Sequence, residues 1–313
     1  MNVCIIGATG HIGSHLVPML RREGIGVALI TRGRLNVPAG IGWEGVRIVN
    51  ANYAADDPNW QHALGSALDG VDALIDLLGV DLSATYDAAR GRCAHVIACG
   101  SIWMLGMPRS VPCPPVVQAP FHGEAYARRW AVIEAVLARS RAGGPLFTAI
   151  LPPNICGPGK IPLDTRGTRS IDVHRALAAG AEAILPDGAD VLIGPCDAED
   201  VAQGFFLAAT QPERSAARVF NVGSAYALTA AQFIATYAQI HGVTIPVRRV
   251  SWDEFTRIVP DPGARYHFQA HMCPDITLTR EQLGYIPRHT PEQSMRRAVE
   301  WMRTTGLLPG GGS

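Results

Sequence analysis

Seven residues near the N-terminus, Gly7-Ala8-Thr9-Gly10-His11-Ile12-Gly13, have the types and spacing of a phosphate cradle. Gly7 permits a tight turn, Gly10 lets a pyrophosphate approach the backbone, and Gly13 lets a following helix pack closely on the preceding strand. A helix that begins there offers unpaired N–H groups and the positive end of its dipole to an anion. Thr9, His11 and Ile12 lie between the glycines and face the same ligand. Glycines at such offsets also occur in tight turns that bind nothing. The position of these, between the first strand and the first helix, favours a dinucleotide.

The end of the second strand bears on which dinucleotide. An acid there would hold the ribose hydroxyls of NAD. The sequence has Thr31-Arg32-Gly33-Arg34 instead. A guanidinium suits bidentate contact with a phosphate. The expectation is NADP(H), its 2′-phosphate docked on Arg32 with Arg34 or Thr31 assisting, and NAD(H) as second choice. Two ordinary surface arginines in a loop are the other reading.

Elements must position these residues. Short, continuously apolar runs at 2–6, 26–31, 46–50, 72–78, 95–99 and 146–151 read as buried strands. Helical periodicity covers 11–24, 58–68 and 122–142. Alternating strands and helices of this kind predict an α/β fold, a doubly wound parallel Rossmann sheet covered on both faces. After about residue 155 the pattern changes. Helices are expected at 171–180, 197–211, 229–241 and 291–304, and short strands at 218–222 and 246–250. Residues 1–155 are thus read as the dinucleotide-binding domain. Residues 156–307 are read mostly as a smaller C-terminal α/β substrate region, with some segments returning to the sheet, and 308–313 as a flexible tail.

Bulk properties narrow the class. The 313 residues carry 27 basic and 27 acidic side chains, and no basic stripe of the kind nucleic-acid binders use stands out. Seven scattered cysteines include no C-x-x-C and no metal-ligand spacing, so neither a disulfide framework nor a metal is expected. His95 and Cys99 would share a face only on a helix, and they lie in a strand. No leader or membrane-length apolar run is seen. The expected setting is the cytoplasm.

The sequence resembles the extended and atypical short-chain dehydrogenase/reductases, the NAD-dependent epimerase/dehydratase type. GATGHIG (7–13), GVDALIDLLG (70–79), VIACGSIWMLG (96–106) and ILPPNICGPG (150–159) carry the resemblance, as do DAEDVAQGF (197–205), VFNVGS (219–224) and LGYIPRHTPEQSMRRAVEWM (283–302). It spans nearly the whole chain. Within the family, TRGR and the short stretch between 80 and 94 look most like the atypical branch that includes chloroplast stem-loop-binding-type proteins.

The resemblance implies cofactor contacts at Leu78, Gly79, Pro153 and Asn154, and a catalytic serine at Ser101. It also implies a Tyr with a Lys four residues on. Here the Tyr is Tyr126, and Trp130 replaces the Lys. A free Tyr titrates near pKa ~10, and a nearby cation makes its phenolate accessible. Arg129, at i+3, could supply that field but not relay a proton.

Three readings stay open. Tyr126 acts with Ser101 and Arg129; another group acts, His122, Glu124 or Asp81; or the site binds without chemistry. The overall function implied is hydride transfer at a hydroxyl or carbonyl carbon of a small polar, sugar-like substrate, as net reduction, epimerisation or dehydration. A non-catalytic NADP(H)-binding sensor or RNA-associated protein is one alternative, and a non-redox isomerase or lyase another. A monomer or a homodimer is expected. In the C-terminal region Lys160, Asp164, Arg166, Arg169, His174, Arg265, His267 and His271 are dispersed, and spacing singles out none.

Overall fold

The computed structural model describes residues 1–31, 42–51 and 60–310. Arg32 and Arg34 lie outside the described residues. Seven strands form one parallel sheet: β1 (Asn2–Ile6), β2 (Gly26–Thr31), β3 (Arg47–Asn50), β4 (Ala73–Asp76), β5 (His95–Cys99) and β6 (Leu146–Leu151), joined from the C-terminal half by a short strand at Arg218–Asn221. That late strand pairs with β6, so the sheet order is β3-β2-β1-β4-β5-β6 and then the late strand.

The apolar runs become strands because both faces of each are covered. In β1, Cys4 and Ile6 enter one core and Val3 and Ile5 the opposite one, as the two-residue repeat requires. Helices α1 (Gly13–Arg22), α2 (Trp60–Ala67), α3 (Leu82–Ala89) and α4 (Glu124–Arg141) follow β1, β3, β4 and β5 in turn. Leu64, Tyr86, Ile133 and Val136 of α2 to α4 pack with Cys4 and Ile6. Leu16 and Leu20 of α1 pack on the other face with Val3 and Ile5. The helix α3 occupies the short stretch between β4 and β5, and Asp81 starts it by accepting the Ala84 N–H at 3.0 Å.

The strand order reverses beside β1. β2 lies on one side and β4 on the other, which opens a crevice at their carboxyl ends, where open α/β sheets bind ligands.

Beyond β6 the chain forms β7 (Asn154–Cys156), α5 (Ile171–Ala178), β8 (Ala183–Pro186), β9 (Leu192–Ile193), β10 (Pro195–Asp197), α6 (Ala198–Thr210) and α7 (Pro212–Ser215). The late sheet strand is β11. It is followed by β12 (Leu228–Thr229), α8 (Ala230–His241), β13 (Val247–Val250), α9 (Trp252–Ile258), α10 (Pro262–Arg265), α11 (Thr277–Leu283) and α12 (Pro291–Thr304). These segments divide between two cores. Phe205 of α6, Phe220 of β11 and Leu283 of α11 join the α1 face of the sheet. Leu177, Phe233, Phe255, Met295 and Met302 make a separate core around the β8–β13 pair. Capping boxes, Thr229 with Gln232 and Thr290 with Gln293, fix the starts of α8 and α12. Leu308, grouped with the tail in the sequence reading, is buried in that second core.

Candidate active site

The glycine loop leaves β1 directly into the crevice. Gly7 has φ +82°, and a Cβ there would sit 2.9 Å from Leu78 Cγ. A Cβ on Gly13 would fall 2.1 Å from the Ala8 carbonyl oxygen, so helix and loop touch through backbone alone. Gly10 differs: its Cβ would meet only the Gly7 carbonyl oxygen, at 3.2 Å, and the space beyond is the cleft.

The opposite lip is the turn after β4. Asp76 is fully buried, and its carboxylate accepts the N–H groups of Leu78 and Gly79 at 2.9 and 2.8 Å. This holds Leu78 across Gly7. The cleft between the lips has a volume of about 440 Å3. Gly7, Gly10, His11, Ile12 and Leu78 line one end, and Cys99 and Trp103 lie further along. Pro153, Asn154, Lys160, Arg169 and His267 close it from the C-terminal side.

Among the described residues, Nδ2 of Asn154 and Nδ1 of His267 in this wall are buried without a hydrogen-bond partner. Burial, reinforced by the fields of His15 and Arg169, pushes the His11 pKa down to about 4. Burial, then Arg169, does the same to His267, also to about 4. Both rings are therefore neutral at neutral pH. Buried polar atoms normally find partners, and these belong to residues that line a cleft of ligand size. The residues fit a dinucleotide: glycine backbone for its phosphates, and an amide and an imidazole left to bond its polar edges.

Ser101 and Tyr126 are not hydrogen-bonded to one another. Ser101 Oγ accepts the Trp103 N–H at 3.3 Å and caps the 3-10 turn Ile102–Leu105. Tyr126 is half-buried on the first turn of α4. Burial raises its pKa, Arg129 lowers it, and Tyr266 and Asp261 raise it. Its hydroxyl is a protonated donor at neutral pH. Arg129 reaches back toward the β4 and β5 ends: its Nη2 is 3.5 Å from where a Gly79 Cβ would stand, and its field acts on Cys99. Trp130 goes the other way, into the core, where its indole N–H has no partner among the described residues. The residue four after Tyr126 is thus a packing group, and the charge comes from the residue three after it.

The other groups weighed from sequence have structural places. His122 is buried, its Nε2 is 3.1 Å from the Gly106 carbonyl, and it packs edge-on against Trp103 at 4.5 Å between ring centroids. Glu124 is exposed and paired with Arg128 at 3.0 Å. Asp81 caps α3. Sequence spacing did not single out His267, which stands 5.2 Å from Trp103 between ring centroids. No local signal marks it, because the segment that carries it returns from far along the chain. Asp197, Glu199 and His289 also converge within 4.8 Å. Arg297 already donates to both carboxylates, at 2.9 and 3.1 Å, so that cluster is an ion-pair network.

The sequence matches the NAD dependent epimerase/dehydratase family over residues 3–223. The chain belongs to that family. It is accordingly an enzyme that uses a nicotinamide dinucleotide. A similar curated protein is the dTDP-6-deoxy-L-talose 4-dehydrogenase (NAD(P)(+)) of Kitasatospora kifunensis, 25% identical, with 94% of this chain and 93% of the relative covered. Among solved structures, a nucleoside-diphosphate-sugar epimerase from Pseudomonas aeruginosa has TM-score 0.75 and 20% identity over 98% of this chain and 99% of that one. The UDP-glucose-4-epimerase of Stenotrophomonas maltophila, solved with bound NAD and formylated UDP-arabinopyranose, has TM-score 0.74 and 19% identity over 98% and 99%. Both share the fold. No helix among the described residues is long and apolar enough to cross a membrane.

Proposed function

We propose that the protein is an NADP(H)-dependent oxidoreductase or epimerase acting at a hydroxyl or carbonyl carbon of a small, polar, sugar-like substrate. One observation carries this reading. A single cleft runs from the glycine loop to Cys99, Trp103 and His267 and is walled by unpartnered polar groups. The sugar dehydrogenase and sugar epimerases named above support the substrate class. The absence of an acid after Thr31, and the presence of Arg32 and Arg34, support NADP(H).

When bound, the nicotinamide supplies or accepts the hydride. The protein supplies orientation, exclusion of water and proton handling. Tyr126, kept protonated by burial, donates to a carbonyl oxygen. Ser101, whose Oγ already accepts from Trp103, keeps its own proton to donate to the same oxygen. The charge of Arg129 favours the phenolate left on Tyr126 after transfer. Cys99, its thiol pushed up to about 12 by burial, stays neutral and takes no nucleophilic part.

A second reading of the proton carrier rests on His267. It lines the cleft with a buried, unpartnered ring nitrogen, and Tyr126 is not among the residues that line it. A neutral imidazole there can take the proton of a substrate hydroxyl.

The test is a fluorescence titration of nucleotide-free protein with NADPH and with NADH, followed by a screen of sugar substrates for change in nicotinamide absorbance. Tighter binding of NADPH is expected, with about a tenfold loss of that preference in Arg32→Ala, the size of one charge-assisted phosphate contact. Binding of neither dinucleotide would end the redox reading.

A further inference from the structure

We infer that Lys160 and Arg169 form a cationic clamp that holds the pyrophosphate of the bound dinucleotide beside the glycine loop, from the part of the cleft wall supplied by the C-terminal half. The inference rests on the dinucleotide reading above and adds a binding element that the glycine motif does not contain.

The placement comes first. After β7 the chain turns through Gly157, φ +89°, and Gly159, φ +105°, conformations that L side chains rarely adopt. This turn packs on the start of α1. A Cβ on Gly159 would lie 3.3 Å from His11 Cδ2, and His15 Nε2 is 3.4 Å from the Pro158 carbonyl. The turn therefore delivers Lys160 to the cleft wall that also contains Gly10 and His11. Arg169 reaches the same wall and is anchored by two backbone carbonyls, Ile161 at 2.8 Å and Ile155 at 3.1 Å.

Charge is the second observation. Among the described residues neither Lys160 nor Arg169 makes an ion pair. The carboxylate whose field acts on Arg169, Asp164, is already engaged: it accepts the N–H groups of Arg166, Thr168 and Ser170 and the Thr168 hydroxyl. Burial lowers the pKa of Lys160, and Arg169 lowers it further. The fields that reach His11 from His15, Arg169 and Lys160 are all positive.

Two neighbouring like charges, Arg169 partly buried and Lys160 exposed, with no counter-ion among the described residues, oppose each other, and Arg169 also loses hydration. A dianion between them removes both costs. The glycine loop and the N-terminus of α1, which line the same cleft, favour the same dianion. A pyrophosphate so placed is held by backbone N–H groups and by the two cations together. Arg169, fixed by its backbone contacts, is the static jaw, and exposed Lys160 is the one free to adjust.

A diphosphate can arrive on the dinucleotide or on a nucleoside-diphosphate substrate, and shared lining with Gly10 and His11 favours the first. The test uses Lys160→Gln and Lys160→Arg, since Lys160 makes no hydrogen bond that the fold needs. Dissociation constants for NADH, NADPH and UDP are measured by fluorescence or calorimetry at two salt concentrations. The expected result is about a tenfold weakening of NADH and NADPH alike in Lys160→Gln, the usual worth of one charge-assisted contact. Salt dependence should become shallower, and Lys160→Arg should restore most of the affinity. Unchanged dinucleotide binding in Lys160→Gln would overturn the clamp, and so would a loss confined to UDP. A loss for NADPH alone would assign Lys160 to the 2′-phosphate and overturn it equally. Failure of the unsubstituted protein to bind either dinucleotide would instead bring down the dinucleotide reading, and the clamp with it.

Discussion

At its glycine end the cleft is made by consecutive residues, Gly7 to Gly13, whose backbone does the work. At its far end the wall is assembled from side chains of three distant segments: Cys99 at the end of β5 with Trp103 beyond it, Asn154 at the start of β7, and His267 near α10. The glycine end is set by φ angles and by the absence of Cβ atoms, so it is fixed once β1 and α1 pack. The far end depends on the C-terminal region docking over the sheet. Among the described residues its polar groups include the unpartnered Asn154 Nδ2 and His267 Nδ1. On the proposed function, the first end serves a constant feature, the phosphate pair of the dinucleotide. The second can vary with the substrate.

The largest effect expected from breaking this contrast is at Gly13. A methyl group there meets the Ala8 carbonyl at 2.1 Å, and backbone on both sides must move. Gly13→Ala should lose about 3 kcal/mol of stability in denaturant titration, at the upper end of overpacking costs, and lose dinucleotide binding with it. Gly10→Ala is the sharper partner. Its methyl meets only the Gly7 carbonyl, at 3.2 Å, and otherwise fills ligand space. It should unfold much like the unsubstituted protein yet bind dinucleotide poorly. Near-normal binding by Gly10→Ala would show that the loop does not cradle phosphates.

Next in size are the two proposed proton carriers. Tyr126→Phe and His267→Gln each remove one candidate with little change in volume. The true carrier should lose about a hundredfold in kcat, with the dissociation constant for the dinucleotide unchanged. A Tyr126→Phe enzyme with full turnover would pass the role to His267. Full turnover in both would show that neither carries the proton.

The same contrast explains what was legible in the sequence. The sheet was, because strands covered on both faces read as unbroken apolar runs: Asn2–Ile6, Gly26–Thr31 and His95–Cys99 coincide with their predicted spans. The strands β7, β9, β10 and β12 were not, because two or three residues carry no periodicity. The helix α3 was missed for a related reason: its eight residues follow β4 closely. The glycine loop was legible as a local motif. Lys160, Arg169 and His267 could not be ranked among their neighbours, because two left-handed glycine turns and a returning segment bring them together, and neither leaves a spacing rule. Trp130 stands where the resemblance implies a lysine. Its burial in the core follows from the helix face it shares with Ile133 and Leu137.

The smallest effect belongs to Arg129, and it tests whether a cation one position away can serve the far end in place of the absent lysine. Arg129 is exposed, and its field lowers the pKa of Tyr126 against the larger, raising effect of burial. Removing it leaves burial unopposed, so the Tyr126 pKa must rise. In carbonyl reduction the protonated Tyr is the active form, and the rate falls as pH climbs through its pKa. Arg129→Met should move that fall to higher pH. In the reverse direction the phenolate is active, and the rise in rate with pH should move the same way. On the slope of either limb the rate should differ from the unsubstituted enzyme by about threefold, the fold-change of a screened surface charge worth about 0.6 kcal/mol. Arg129→Lys should return the limb to its place, and high salt should shrink the difference. A limb that stays put in Arg129→Met would show that the guanidinium near Gly79 does not tune Tyr126, and the far end would then have to work through groups that bear no charge, such as neutral His267.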